Sequence, residues 1–152
     1  MAKMITILVL IGLIFSIGNV HAETRATKKD AESMVKKAVA AYKAEGEKVF
    51  TDFNAPSKKF TSHDLYIVVY DFNGKCVAHG QNARQINKDL VGMKDPDGKA
   101  FIKEHVDFAK SKDKFWQDYK FTDPLTKKVL PKQAYCEKAD SKYIVCGGVY
   151  KE

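Results

Sequence analysis

LYIVVYDFNGKCVAHG, Leu65–Gly80, decides the fold class. The first half alternates β-branched and aromatic residues, and the second is a shorter run of the same character, so both read as strands. Asn73-Gly74 between them is the strongest short hairpin signal, because both residues accept the positive φ that a two-residue turn requires. An antiparallel pair is therefore expected here. Downstream, FWQDYKF (Phe115–Phe121), VLPKQAYCE (Val129–Glu137) and KYIVCGGVY (Lys142–Tyr150) add three strands. Thr122-Asp123-Pro124 and Lys138-Ala139-Asp140-Ser141 supply the turns between them.

Upstream the period changes from two to nearly four. Ala31, Met34, Val35, Ala38, Tyr42, Val49 and Phe53 recur at helical spacing behind the cap Thr27-Lys28-Lys29-Asp30. Gly46 interrupts this helix and Asn54-Ala55-Pro56-Ser57 ends it. Between the hairpin and the late strands, Gln81–Ser111 is rich in turns. It closes with a short helix on Phe101, Ile102, His105, Val106 and Ala109, for which Asp95 or Asp97 is the expected cap and Pro96 the first-turn residue. The fold class is α+β: a long N-terminal helix packed on a five-stranded antiparallel sheet, with a helical crossover after strand two.

The first 22 residues are a different polymer. Lys3 gives a positive start, Met4–Ile17 is almost wholly apolar, and Val20-His21-Ala22 places small residues at a cleavage site. This is a secretory signal peptide, expected to be cut after Ala22 to leave residues 23–152 as one domain. An uncleaved anchor is the alternative, but Ser16, Gly18 and Asn19 cut the apolar run short of the ~20 residues that cross a bilayer. The chain is thus expected to be exported across the inner membrane to the periplasm. Its formal charge of +7 is spread among interleaved acids and bases, as on Lys28, Lys29, Asp30, Glu32, Lys36 and Lys37. That is a solvated helix face rather than the basic stripe of a nucleic-acid binder.

Export makes the cysteines candidates for a disulfide. A hairpin centred on Ser141 sets Cys136 opposite Cys146, whereas a centre one residue earlier breaks the pairing. Cys76 is left as a buried thiol or an intermolecular partner. Cys76 and His79 lie three positions apart on one strand, which in a regular strand turns them to opposite faces and argues against a catalytic pair. His63 and His105 show no ligand spacing toward them, so no metal, no cofactor and no catalytic residue are assigned; haem or metal binding through Cys76, His79 and His105 is a third reading, which predicts a chromophore or bound metal in the purified protein. Gly-x-Ser-x-Gly, His-Glu-x-x-His, the P-loop and Gly-x-Gly-x-x-Gly are all missing, so no enzyme is expected. What stands out is an aromatic cluster with polar tips on the late strands, Trp116, Tyr119, Tyr135, Tyr143 and Tyr150, with Lys132 among them. A Lys in such company calls for a partner, and a small carboxylate is one.

GKCVAHGQN (Gly74–Asn82), KDLVGMKDPDGKAF (Lys88–Phe101), FWQDY, KQAYC and YIVCGGVY, in that order, resemble the single Cache domains of the second type. These are PAS-like extracytoplasmic sensing domains of bacterial receptors and kinases. The resemblance runs from about Asp30 to Tyr150. It implies a pocket between sheet and connecting segment, with His79, Trp116, Tyr119, Lys132 and Tyr135 as ligand-binding positions and Gly148 and Tyr150 as the terminal motif. It also implies a last strand lying between the first and the fourth, which makes Cys136 and Cys146 neighbours. Lys132 and Tyr135 have opposite parity, so either Pro131 marks a bulge or one of the two is core; Tyr135 and Trp116 are ranked before Lys132. The expected function is binding of a small organic ligand, a short carboxylate, without turnover, for a membrane receptor or kinase. A module that docks on such a receptor with no small ligand is the alternative. A receptor of this family continues beyond the last strand, whereas this sequence stops at Glu152, and a stand-alone domain is the corresponding expectation.

Overall fold

The computed structural model describes residues 24–54 and 58–151; the expected signal peptide lies outside the described residues. Helix α1, Lys28–Glu45, begins on a reciprocal cap. The Asp30 amide donates to Thr27 Oγ1 at 3.2 Å, and the Asp30 carboxylate accepts from the Thr27 amide at 2.8 Å. It buries Ala31, Val35, Ala38, Val39 and Tyr42. Gly46, at φ 66°, ends the regular helix there rather than merely weakening it. A 3-10 turn, Gly46–Val49, and the short helix α2, Phe50–Phe53, continue the apolar stripe with Val49, Phe50 and Phe53 buried.

Among the described residues six strands follow: β1 Thr61–Ser62, β2 Leu65–Asp71, β3 Cys76–His79, β4 Lys114–Thr122, β5 Val129–Lys138 and β6 Tyr143–Tyr150. The five expected from the sequence are all present, and the sixth is the two-residue β1, too short to leave a periodic signal. Every pairing is antiparallel, in the order β1-β2-β6-β5-β4, with β3 also hydrogen-bonded to β2. β6 thus lies between β2 and β5. Its register sets Cys136 opposite Cys146, and the two form a disulfide while Cys76 is a free, buried thiol.

Strand alternation divides the interior into two layers. On one face Ile67, Val69, Tyr135 and Val145 pack against Val35, Ala38 and Val39 of α1. Gly147 belongs to this face, where a Cβ would stand 3.1 Å from Val35 Cγ2, so a bare backbone lets the helix approach. On the other face Tyr66, Val68, Tyr70, Ala134, Cys136, Ile144 and Cys146 pack against α3, Phe101–Ser111, through Phe101, Ile102, Val106 and Ala109.

Two local expectations are corrected. Neither Asp95 nor Asp97 caps α3, whose first turn follows Ala100 with no side-chain cap. Asp95 instead accepts the amides of Asp97 and Lys99 at 2.9 Å each and of Lys120 at 3.0 Å, clasping the connecting segment to β4. In β3 the register slips: Val69 pairs with Ala78, but Tyr70 pairs with Cys76. Val77 is the additional residue of this bulge, and it cancels the alternation, so Cys76 and His79 end on the same face.

Candidate ligand-binding site

Lys132 sits on β5, in the layer facing away from α1, and is 3% exposed. Its Nζ donates to Tyr66 Oη at 2.9 Å and to Tyr150 Oη at 3.2 Å. Tyr150 Oη in turn donates to the Thr122 carbonyl at 2.7 Å and lies 3.3 Å from Tyr66 Oη. With that proton committed, Tyr150 accepts from both Lys132 and Tyr66, and the chain of donors runs from the ammonium to the backbone. The rings of Tyr66, Tyr150 and Phe121 surround the Nζ at 4.1, 4.7 and 5.6 Å from their centroids. Among the described residues no acidic side chain pairs with Lys132. Gly148 makes the room: a Cβ there would lie 2.6 Å from Lys132 Cε.

Beside the ammonium is a chamber of about 10 Å³, lined by Tyr66, Tyr70, Tyr119, Cys146 and Gly148 among others. That is a water-sized space. Tyr66 also forms the wall of a larger, partly open cavity of about 170 Å³, with His79, Gln81, Asn82, Phe121, Asp123 and Lys127 around it. Two of the rings around the ammonium, Tyr66 and Phe121, also line the larger cavity, whereas Lys132 itself does not.

His79 lies against Tyr66, ring centroids 5.2 Å apart. Its Nδ1 accepts the amides of Gln81 at 3.1 Å and Asn82 at 3.0 Å, which places the ring proton on Nε2. Burial first, and the Lys132 charge second, pull its pKa down to about 3. His79 is thus a neutral imidazole that can only donate. His105 on α3 is held down to about 3 as well, by complete burial and then by Lys132 and Lys99. Burial pushes the Cys76 thiol up to about 12, and its Sγ donates to the Ala78 carbonyl at 3.4 Å. Although the bulge brings Cys76 and His79 to one face, their environments hold a protonated thiol and a neutral ring rather than a thiolate and an imidazolium.

At the edge of the site, Asp123 accepts from Arg25 at 3.1 Å and from Thr126 Oγ1 at 2.6 Å. Burial raises its pKa, but these hydrogen bonds outweigh that and hold it at about 2. Arg25 also reaches buried Asp64, which accepts the amides of Ala26 at 2.8 Å and Tyr150 at 3.2 Å. The segment leading into α1, the last strand and the loop at the cavity edge are joined in this way.

The sequence-derived set divides between the two faces. Lys132, Tyr119 and His79 come together; Trp116 and Tyr135 do not join them. Tyr135 packs in the layer beneath α1 and donates to Glu137 at 2.6 Å. Trp116 lies against it at 5.2 Å, with Lys28 over its ring at 5.0 Å. Trp116 and Tyr135, ranked before Lys132 from the sequence, thus lie on the face opposite to it. The β4–β5 register runs without a shift through Pro131, so no bulge there re-aims either side chain. Tyr66, Phe121 and Gly148 complete the surroundings of Lys132. Tyr66 and Tyr70 carried a signal in their period-two alternation with Ile67 and Val69, but only the pairing of β2 with β6 and of β6 with β5 shows that Tyr66 meets Lys132.

The family profile described as Cache domain, dCache_2, matches residues 56–152. The chain belongs to the Cache domain family. It is 29% identical over 89 residues to the methyl-accepting chemotaxis protein McpP of Pseudomonas putida KT2440; that stretch is 58% of this chain and only 16% of the receptor's length. Among solved structures, a methyl-accepting chemotaxis protein from Vibrio parahaemolyticus superposes with a TM-score of 0.70 at 21% identity, over 81% of this chain and 87% of that one. A Cache chemosensory domain described for its carboxylic acid recognition gives 0.69 at 21% identity, over 82% and 92%. The periplasmic sensor domain of a chemotaxis protein gives 0.64 at 22% identity, over 82% and 90%. At these identities the superpositions establish the shared Cache fold, with its helix and antiparallel sheet. No helix among the described residues is long and apolar enough to cross a membrane.

Proposed function

We propose that this Cache domain is an exported sensor module that binds a small organic carboxylate without turnover and passes its occupancy to a membrane receptor or kinase. The observation that carries this reading is the Lys132 ammonium, 3% exposed and paired with phenols and rings but with no acid. An ion held out of water without a counter-ion costs several kcal/mol, and phenol oxygens return only part of that. A carboxylate entering from the 170 Å³ cavity supplies the missing charge once Tyr66 and Phe121 swing aside. Lys132 then compensates its charge, and His79 through Nε2 and the Tyr119 hydroxyl donate to it. A cavity of this volume lies below the range of drug-sized sites, so the ligand has only a few non-hydrogen atoms. The description of one fold neighbour by its carboxylic acid recognition supports the same chemistry. The signal peptide reading, with cleavage after Ala22, belongs to this proposal, and the intact mass of the exported protein tests it.

A thermal-shift screen of two- to four-carbon carboxylates, with matched amines and amino acids, tests the ligand class. A carboxylate at 100 times its Kd is expected to stabilise the fold by about 2.7 kcal/mol, and Lys132→Met to abolish the response. Stabilisation by amines alone, or carboxylate binding that survives Lys132→Met, overturns the reading.

A further inference from the structure

The imidazole of His105 lies in the layer away from α1 and is fully buried, with neither Nδ1 nor Nε2 given a hydrogen-bond partner. Buried polar atoms are nearly always paired, and a buried His ordinarily uses at least one nitrogen. Its surroundings are the rings of Tyr70, Phe101, Phe115 and Tyr119, at centroid distances of 5.7 to 6.1 Å. Its other neighbours are the two sulfurs of the disulfide: one His105 nitrogen and the Sγ atoms of Cys136 and Cys146 all lie within 4.8 Å of one another. Two sulfurs and an unclaimed imidazole at this separation are a ligand set once the sulfurs are thiolates.

We propose that Cys136, Cys146 and His105 form a redox-gated binding site for a soft thiophilic cation, Zn(II) or Cu(I), closed while the disulfide stands and opened by a dithiol reductant. The opening step is thiol–disulfide exchange. The dithiol gives up two electrons and two protons and becomes a disulfide, the Cys136–Cys146 bond breaks, and each sulfur leaves with one proton. Metal binding then releases those two protons as the thiolates coordinate. The sheet keeps the site assembled after the bond is cut. Cys136 and Cys146 are a register pair with Cα atoms 4.1 Å apart, within a ladder that runs from Lys132 and Tyr150 to Lys138 and Ile144. Reduction therefore leaves two thiols side by side beneath His105, held there by the pairing of β5 with β6.

The ligand types select the ion. Thiolates and imidazole favour Zn(II) and Cu(I) over the harder cations, which take oxygen. Zn(II) with two thiolates and a neutral imidazole is a neutral unit, suited to an apolar layer. Cu(I) with the same ligands carries one negative charge in the layer that holds the Lys132 ammonium. Cys146 also lines the chamber beside Lys132. Cys76 shares the layer but is not one of the clustered ligands, and its thiol is engaged with the Ala78 carbonyl. This proposal rests on the cluster alone and stands or falls independently of the carboxylate reading.

The test uses the full chain, oxidised or reduced with dithiothreitol that is then removed under nitrogen, and exposed to Zn(II) or Cu(I). Native mass spectrometry and thermal unfolding are the readouts. The reduced protein is expected to take up one ion per chain and to unfold at a higher temperature with it, while the oxidised protein takes up none. His105→Phe, which fills the same aromatic nest, is expected to lower the affinity of the reduced protein at least tenfold; Cys76→Ser should leave it unchanged. Any of four results overturns the proposal: no uptake of either ion by reduced protein, equal uptake by His105→Phe, loss of uptake in Cys76→Ser, or a reduced chain that fails to fold with and without metal.

Discussion

The two faces of the sheet are built on opposite principles. Beneath α1, Val35, Ala38, Ile67, Val69 and Val145 are fully buried and apolar, and the buried tyrosines there send their hydroxyls to acids, Tyr135 to Glu137 and Tyr42 to Asp140. The opposite layer buries an ammonium and two imidazoles, on Lys132, His79 and His105, among tyrosines. The first face is what a fold needs to exist. The second accepts desolvated polar groups that a fold alone does not require, which is the pattern the proposed carboxylate site accounts for.

Acid should expose the difference most strongly. His79 and His105 are neutral in the fold down to about pH 3, whereas in the unfolded chain they take up protons below about pH 6.5. The unfolded state then binds more protons, so stability is intact above pH 6.5 and falls as pH drops toward 3. The loss should reach about 4 kcal/mol for the two residues together at pH 5 relative to pH 8, read from denaturant unfolding at each pH. Replacing His105 by Phe should remove about half of that dependence. A flat profile between pH 8 and 5 would mean that these rings are solvated or paired. Asp123, held at about 2, adds its own loss only at lower pH.

Truncating the dry face should come next. Ile67→Ala is expected to cost about 3 kcal/mol through lost burial and a residual cavity, with the carboxylate response retained. Lys132→Met sharpens the contrast because its effects should separate: stability unchanged or raised by up to a few kcal/mol, ligand response gone. If that substitution destabilises the protein instead, Lys132 holds the fold together and the two faces differ less. Gly148→Ala should cost about 1 to 3 kcal/mol, since the new methyl presses on Lys132 Cε and on the backbone of β5, and it should weaken carboxylate binding as the ammonium shifts. The smallest effect belongs to Tyr135→Phe. It is expected to lose no more than about 1 kcal/mol with its hydrogen bond to Glu137, and to leave the carboxylate response untouched. Loss of binding in that variant would return Tyr135 to the site.

The sequence by itself determined the elements. The capping box at Thr27, the helical stripe from Ala31, the hairpin at Asn73-Gly74 and the three late strands are local patterns, written in residues close along the chain, and each lies within a residue or two of its expected place except the end of the first helix, which Gly46 sets at Glu45. The disulfide was legible in part: hairpin spacing permitted Cys136 and Cys146 to pair but left the centre open by one residue, and the β5–β6 register settles it. Which polar residues share a face was not legible in the same way. The Lys132 site joins Tyr66, Lys132 and Tyr150 from three strands, and their meeting depends on β6 lying between β2 and β5. Alternation parted Lys132 and Tyr135 unless Pro131 marked a bulge; only the unshifted β4–β5 register excluded the bulge, and only packing decided that α1 covers Tyr135 and that Lys132 faces the other layer. The bulge at Val77 marks the same limit from the other side: a single inserted residue reverses every facing assignment beyond it, and no local pattern in KCVAHG announces one. Periodicity is a property of a segment, whereas a site is made by segments far apart in sequence, and only the tertiary structure brings them together.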